Sequence, residues 1–414
     1  MRKLRAGLGA GLCALLFFVL PAIPAGQEPP RPVRILFLGN SYTYFNNLPE
    51  ILTKLAEAGG QARVEAAMIA PGGWRLKDHW EKGEARPTLQ AAAWDVVALQ
   101  DQSTLGLNYY LDGLVRIAGD QVFRPFAEKW IAEIRGAGAT PMLYLTWARK
   151  ATPQDQAALT SAYMRAAKDF GARVAPVGLA WESLRRDQPG LELYYADGSH
   201  PSAAGSYLAA CVFYAAVFHR SPEGLPAKIS GIPVNLETAK PEPERTAVLV
   251  DLAADLAQAV QRAAWNACQE LDRAGGVLDV PAVPAPELPP LPQGEALDAA
   301  EIEGTWAGDL SFYPPPFLPA HMELALRREA GALKGRLTLQ YHSSRQPDQT
   351  LDLDDLRAEG NELRFSDPKA AQNLAIAFRG VKAGADELRG RADASQGSPE
   401  ATVRLCGTWR LRRK

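Results

Sequence analysis

Cysteine is scarce in this chain, with four in 414 residues. Cys13 lies in an apolar stretch near the N-terminus. The other three, Cys211, Cys268 and Cys406, are too few for a disulfide scaffold, and no pair has the C-x-x-C spacing of a structural zinc site. Stability must therefore come mainly from packing, and one disulfide between Cys211 and Cys268 stays open.

Excess charge and long apolar runs are also lacking. The formal net charge is −2, and loss of the three basic residues near the N-terminus would bring it to −5, which disfavours nucleic acid and anionic membranes as partners. After residue 25 no segment is apolar enough to span a bilayer. The first 25 residues begin with a basic cluster and end in small residues, a pattern that predicts a cleaved signal peptide and export to the periplasm or medium. An uncleaved anchor over Ala6 to Ala25 is the alternative.

Residues 31–274 alternate between two kinds of segment. Five runs have consecutive apolar residues, as strands buried on both faces do: VRILFLG, ARVEAAMI, WDVVALQ, TPMLYLTWA and ARVAPVGLA. Helical patterns cover 48–58, 122–136, 153–170, 203–218 and 246–271. This alternation predicts an α/β domain with a parallel sheet covered by helices on both faces, and ligands bind such sheets at the carboxyl ends of the strands.

The rest of the chain has a different pattern. Residues 275–298 are rich in proline and are interpreted as an interdomain linker. Residues 299–414 contain eight segments with strand-like alternation, which predict an all-β antiparallel barrel or sandwich. Gly-Thr-Trp occurs in the first and last of them, so closure would make these strands neighbours, with Trp306 and Trp409 at the same end. The G-x-W near the start weakly resembles lipocalin-like domains, and two core tryptophans in an unrelated sandwich explain it equally well.

Histidine, which a nucleophilic serine needs as its base, occurs only five times. His79 lies in LKDHWEKG and is interpreted as covering a helix surface. His200 follows Asp197 by three residues, so that one loop carries an acid and a base. Ser41, in LFLGNSYT, follows the first predicted strand and is the candidate nucleophile.

With GNSYT early and Asp-x-x-His late, residues 33–271 resemble the SGNH hydrolase superfamily of GDSL-like esterases, in particular an exported bacterial branch with a GNSYT first block. The resemblance implies a flavodoxin-like, three-layer α/β/α domain with a five-stranded parallel sheet. It also implies Ser41 as nucleophile with Asp197 and His200 as its acid and base, without metal or cofactor.

The resemblance further implies donors for the oxyanion, including the backbone of Ser41. A glycine after the second strand maps onto Gly72 or Gly73 in IAPGGW, and Gly73 matches better by its place in the loop. The asparagine of the fourth block is replaced by VVALQDQS, where Gln100 or Gln102 offers an amide and Gln102 matches better by its distance past the strand. Asp101, between them, is expected to pair locally, for example with a loop arginine.

We therefore predict an exported serine esterase that hydrolyses short acyl esters, preferentially O-acetyl groups on carbohydrates, through an acyl-enzyme. A small-molecule or glycan ester is the expected partner, and carbohydrate binding by the β domain is expected by analogy. Alternatives are a short-chain lipase or thioesterase, an acyltransferase, and a non-catalytic glycan-binding protein. A glycan is favoured by aromatic residues near the predicted strand ends: Tyr42, Tyr44, Phe45, Trp74, Tyr109, Tyr110 and Trp147.

Overall fold

The computed structural model describes residues 31–414 except 62, 107, 112–113, 118, 285–290, 292, 313–319, 342–347, 372–373 and 397–402. The predicted signal peptide, residues 1–25, lies outside the described residues. So do the side chains of Tyr109, Tyr110 and Cys406. Within the described part, no helix combines the length and the apolar character needed to cross a membrane.

Residues 31–283 contain strands and helices in alternation. The strands are β1 (Val33–Leu38), β2 (Val64–Ile69), β3 (Val96–Leu99), β4 (Asn108–Leu111), β5 (Leu114–Ile117), β6 (Thr140–Tyr144), β7 (Arg173–Ala175), β8 (Lys228–Gly231), β9 (Val234–Asn235), β10 (Lys240–Pro241) and β11 (Ala247–Asp251). The helices are α1 (Ser41–Tyr44), α2 (Leu48–Ala58), α3 (Leu76–Lys82), α4 (Ala85–Ala91), α5 (Phe123–Gly136), α6 (Gln156–Phe170), α7 (Val177–Asp187), α8 (Ala203–Phe218) and α9 (Ala254–Arg273), with 3₁₀ turns at Phe45–Asn47 and Pro153–Asp155.

Five of these strands form a parallel sheet in the order β2-β1-β3-β6-β7. Alternate residues of β1 enter two separate cores. Ile35 and Phe37 pack in the core that includes α2, α8 and α9, while Leu36 and Leu38 pack in the core that includes α5 and α6. The unbroken apolar run of this strand therefore reflects burial on both faces, and the predicted three-layer, five-stranded domain is confirmed.

Two predicted segments differ from the structure. In ARVAPVGLA only Arg173–Ala175 is a strand, because Pro176 has no N–H for the sheet and α7 starts at the next residue. In 246–271 the first residues form β11, which pairs with β8, and the helix begins at Ala254. Cys211 and Cys268 are both buried and form no disulfide with each other, and the Cys268 thiol lies 3.7 Å from the Val212 carbonyl oxygen.

The C-terminal residues form an all-β domain. Its strands are β12 (Gly304–Phe312), β13 (Ala320–Glu329), β14 (Ala332–Tyr341), β15 (Gln349–Leu353), β16 (Arg357–Glu359), β17 (Glu362–Ala371), β18 (Leu374–Lys382), β19 (Glu387–Gln396) and β20 (Val403–Arg413). They pair antiparallel in the order β15-β14-β13-β12-β20-β19-β18-β17-β16, in one curled sheet around one core. The described strands number nine rather than eight because 349–360 divides at a turn, where Asp355 accepts hydrogen bonds from the backbone and hydroxyl of Ser366.

The first and last strands of this domain are neighbours, as predicted. Their register pairs Trp306 with Arg413 and Leu310 with Trp409. The two tryptophans are thus four positions apart along the strand pair, and the expectation that they share one end is wrong. Both are buried in the same core.

A hairpin of the α/β part joins this second sheet. Strand β4 pairs parallel with β20 at Arg404 and Leu405, just beyond Gly407, where the pairing of β20 with β12 stops. In β5, Arg116 forms two hydrogen bonds of 2.9 and 3.0 Å with the carboxylate of Asp155. The segments after β3 and β6 are therefore connected to each other and to the β domain through contacts that do not involve residues 275–298.

Candidate active site

The turn between β1 and α1 presents Ser41. Asn40 caps the helix by accepting from the Tyr42 N–H at 3.1 Å, and its amide donates to the Trp74 carbonyl at 2.8 Å. Gly39 has no room for a side chain, because a Cβ there would overlap Thr43 and Gln100. Close packing around Gly39 and Asn40 thus fixes the backbone that carries Ser41 at the carboxyl edge of the sheet.

The loop before α8 brings an acid and a base to this serine. His200 Nε2 lies 2.8 Å from Ser41 Oγ, and His200 Nδ1 is hydrogen-bonded to Asp197 Oδ2. Asp197 Oδ1 accepts from the backbone N–H groups of Ser199 and His200, each at 2.9 Å. Although partial burial opposes it, these hydrogen bonds lower the pKa of Asp197. The three side chains are arranged for proton transfer from Ser41 to His200, with Asp197 orienting the ring.

Aromatic rings fix the position of the imidazole. Phe45 stacks on His200 with ring centroids 4.2 Å apart and planes at 11°, and Tyr42 meets it edge-on at 5.7 Å. The Tyr42 hydroxyl is 2.7 Å from Ser199 Oγ, and Trp147 donates its indole N–H to the Ser199 carbonyl at 3.0 Å. The aromatic residues therefore fix the His200 ring and the loop that carries it, in addition to the hydrogen bond with Asp197.

A cavity of about 390 Å³ lies beside Ser41 and His200, and Gly73 and Gln102 also line it. The backbone N–H groups of Ser41 and Gly73 have no acceptor among the described residues, and Gly73 has a φ of 73°. The side-chain oxygen of Gln102 accepts from the backbone and hydroxyl of Thr104, which leaves its two amide hydrogens for the cavity. Three donors thus border the space next to the serine.

Gln100 has a different place. It is buried, and its oxygen accepts from the Asn40 N–H at 2.9 Å and the Thr43 hydroxyl at 3.0 Å. Its amide donates to Asn40 Oδ1 and to the Asp101 carbonyl. With both amide hydrogens used, Gln100 has none for an oxyanion. It instead ties the serine turn to the end of β3.

His79 and Asp101 are both buried, which corrects the interpretation of His79 as a residue that covers a helix surface. His79 is fully covered, and its Nε2–H donates to the Gly39 carbonyl at 2.7 Å, two residues before the serine. Burial lowers the pKa of this imidazole, which favours the neutral ring. Asp101 pairs locally, but with a backbone group, since its Oδ1 accepts from the Gln102 N–H at 2.5 Å. Among the described residues no arginine pairs with it, and the guanidinium of the nearby Arg75 is hydrogen-bonded to Asp78. Burial raises the pKa of Asp101 to about 7.

The elevated pKa of Asp101 predicts a pH-dependent stability. A carboxyl whose folded pKa lies above its unfolded value of about 3.9 stabilises the fold while protonated, and this contribution is lost as pH rises through about 7. Between pH 5 and 8 we expect the wild type to lose about 2 to 3 kcal/mol of unfolding free energy relative to Asp101→Asn. Urea unfolding of both proteins at the two pH values measures this, and a parallel pH dependence would contradict it.

The other predicted aromatic residues divide into two groups. Tyr42 and Trp147 stack on each other at 4.6 Å; Trp147 is fully buried in the core, whereas Tyr42 also borders the cavity. Tyr44 and Phe45 line the cavity. Trp74 is half-buried, with the Lys82 ammonium 3.8 Å from its ring.

Sequence reasoning missed four cavity residues, Ser103, Arg149, Ser199 and Leu236. Arg149 follows β6, so the rule that ligands bind at strand carboxyl ends would have singled it out. Leu236 comes from the turn between β9 and β10, which no sequence pattern placed near the serine.

In the α/β part, the serine follows the first strand of a five-stranded parallel sheet, and the Asp-x-x-His loop precedes α8. This is the three-layer arrangement, with the serine and the Asp-x-x-His loop at one edge of the sheet, that the resemblance to SGNH hydrolases predicted. No family model matches the chain, and no curated protein matches it.

Several solved structures are similar to the chain. A DUF4886 family protein from Bacteroides uniformis is 20% identical, with a TM-score of 0.42, over 58% of this chain and 96% of that one. An acetyl xylan esterase is 15% identical, with a TM-score of 0.35, over 45% and 100%. A lipase/acylhydrolase from Enterococcus faecalis is 15% identical, with a TM-score of 0.35, over 44% and 93%.

Proposed function

We propose that this protein is a serine esterase that works through an acyl-enzyme. The observation that carries the proposal is the hydrogen-bonded series from Ser41 Oγ through both ring nitrogens of His200 to Asp197. As Ser41 Oγ attacks the acyl carbonyl, His200 Nε2 takes its proton. The same proton then passes to the departing alcohol oxygen as the ester bond breaks. A water molecule then attacks the acyl-enzyme while His200 Nε2 takes its proton. That proton returns to Ser41 Oγ as the carboxylic acid leaves.

The oxyanion of each tetrahedral intermediate would be held by the N–H groups of Ser41 and Gly73 and by the amide of Gln102. This assignment is supported by three donors that border one cavity and have no acceptor in the part of the chain that the structure describes. Donors fixed in place before the reaction stabilise the developing charge without reorganisation. Gln102 would thus supply the amide that an asparagine provides in the superfamily pattern.

The substrate we propose is a short acyl ester, with O-acetyl groups on carbohydrates first. A cavity of about 390 Å³ is at the small end of ligand sites and suits an acetyl or similar group next to Ser41. Tyr44, Phe45 and Leu236 supply apolar and aromatic surface in it. We also propose export through the N-terminal 25 residues, since their charge and hydropathy pattern is that of a signal peptide.

The test uses the chain from residue 26 onward. An alkyl fluorophosphonate should add covalently to one serine, found by mass spectrometry in the peptide that contains Ser41. The protein should hydrolyse p-nitrophenyl acetate faster than the octanoate and release acetate from O-acetylated xylan. Label on another serine would reject Ser41 as the nucleophile. Absence of label together with absence of turnover would reject the esterase and leave a glycan-binding protein. A preference for the octanoate would favour a lipase.

The oxyanion assignment predicts different outcomes for the two glutamines. Gln102→Ala should lower kcat by about 10²- to 10³-fold, because a donor to the oxyanion is lost. It should lower Tm less than Gln100→Ala does, because it removes only the two part-buried hydrogen bonds from Thr104. Gln100→Ala removes four buried hydrogen bonds around the serine turn and should lower Tm by several degrees. Kinetics and thermal unfolding of both variants distinguish the roles. A Gln102→Ala enzyme with full kcat would remove that residue from the oxyanion site.

A further inference from the structure

Arg149 brings a positive charge into the cavity beside Ser41. It follows β6 and the buried pair Trp147 and Ala148, and its side chain lines the cavity together with Ser41 and His200. The hydroxyl oxygen of Ser103 accepts from Arg149 Nη2 at 2.9 Å and from Nε at 3.3 Å. A guanidinium has five N–H donors, so this single oxygen leaves three of them for a ligand.

No carboxylate among the described residues lies within 4.0 Å of the Arg149 guanidinium. Nearby cations differ in this respect, because Lys150 is paired with Glu192 and Arg116 with Asp155. The carboxylate of the site itself, Asp197, is used by His200 and two backbone N–H groups. Among the described residues, Arg149 is therefore the charged side chain of the cavity that has no partner of opposite charge.

A half-buried guanidinium without an acid loses hydration and gains no ion pair in return, which is unfavourable unless a ligand supplies the anion. Its planar fork matches the two oxygens of a carboxylate, and such paired hydrogen bonds are stronger than neutral ones. Ser103 belongs to the same loop as Gln102, so the fork is held next to the proposed oxyanion donors.

We propose that Arg149, positioned by Ser103, binds a carboxylate of the substrate. The natural substrate is then an acyl ester that carries a carboxylate, such as an O-acylated sugar acid. This inference rests on the proposed esterase function and narrows its substrate class. The carboxylate is either on the alcohol part or on the acyl part of the ester.

Two pairs of esters, with members of similar size, distinguish a carboxylate on the alcohol part from one on the acyl part. 4-Acetoxybenzoate and its methyl ester differ in charge on the alcohol part, while mono-p-nitrophenyl glutarate and p-nitrophenyl pentanoate differ in charge on the acyl part. In at least one of the two pairs, the wild type should hydrolyse the anionic ester with a kcat/KM that is about 10-fold or more above that for the neutral ester. Arg149→Met should reduce the anionic-to-neutral ratio by about 10- to 100-fold, mainly through KM, and Arg149→Lys should restore part of it.

Lys150→Met is the matched control, since it removes the adjacent cation, which is paired with Glu192 at the surface. It should leave both ratios as in the wild type. If Arg149→Met changes the anionic and neutral members equally, or if the wild type shows no charge preference in either pair, the inference is wrong while the esterase function stands. If no ester in either pair is hydrolysed, the esterase function itself fails. Calorimetric titration of Ser41→Ala with the unhydrolysed anionic ester then shows whether Arg149 still binds carboxylate.

Discussion

Replacing Ser41 by alanine should lower kcat for p-nitrophenyl acetate by about 10⁵- to 10⁶-fold, to the level that the remaining site supports. The Ser41 hydroxyl lies 2.8 Å from His200 Nε2, and without it the proposed acyl-enzyme cannot form. The binding surfaces and oxyanion donors remain, so the variant should still bind the ester. Steady-state kinetics and loss of the fluorophosphonate label measure the two consequences.

The substitution itself is structurally mild. Ser41 is 8% exposed and alanine suits the first turn of α1, so Tm should change by no more than a few degrees. Ser183→Ala, on α7 away from the cavity, removes a serine hydroxyl of the same size and should keep full activity. Ser41→Ala activity within tenfold of the wild type would mean that another group is the nucleophile.

The central sheet and the residues around the serine were predictable from sequence because both depend on local patterns. A strand that is buried on two faces has an unbroken run of apolar residues. In β1, for example, successive residues of the strand pack in two different cores. The candidate nucleophile and the Asp-x-x-His segment each lie at a position that the fold places at one edge of the sheet. Ser41 Oγ and His200 Nε2 are 2.8 Å apart although 159 positions separate the two residues in the chain, and only the order of the motifs predicted that they meet.

The features that sequence did not predict depend on contacts between distant residues. His79 looks like a surface residue of a short polar helix, yet its partner is the Gly39 carbonyl, 40 residues earlier. The positions of Trp306 and Trp409 follow from the register of β12 with β20, two strands that are distant in sequence and are joined by no turn. Whether Gln100 or Gln102 faces the cavity depends on where β3 ends, and one residue decides which side chain turns inward.

Asp197→Asn should lower kcat by about 10⁴-fold while the loop keeps its shape. The asparagine oxygen can still accept from the backbone N–H groups of Ser199 and His200, as Asp197 Oδ1 does. Its amide nitrogen would then face His200 Nδ1 and donate to it. That places the imidazole proton on Nε2, where it points at Ser41 and prevents the ring from acting as a base.

The hydrogen bonds to Asp197 also predict how activity depends on pH. Because the pKa of Asp197 is lowered, the carboxylate stays ionised to below its ordinary range, and its contribution to stability is lost only as pH falls through that lowered value. Wild-type activity should therefore not fall through protonation of Asp197 at pH 5 or above.

For the Asp197→Asn prediction, Asp187→Asn at the end of α7 is the matched control and should keep full activity. An Asp197→Asn enzyme within tenfold of the wild type would mean that Phe45 stacking and the loop alone orient His200, so that the acid is dispensable.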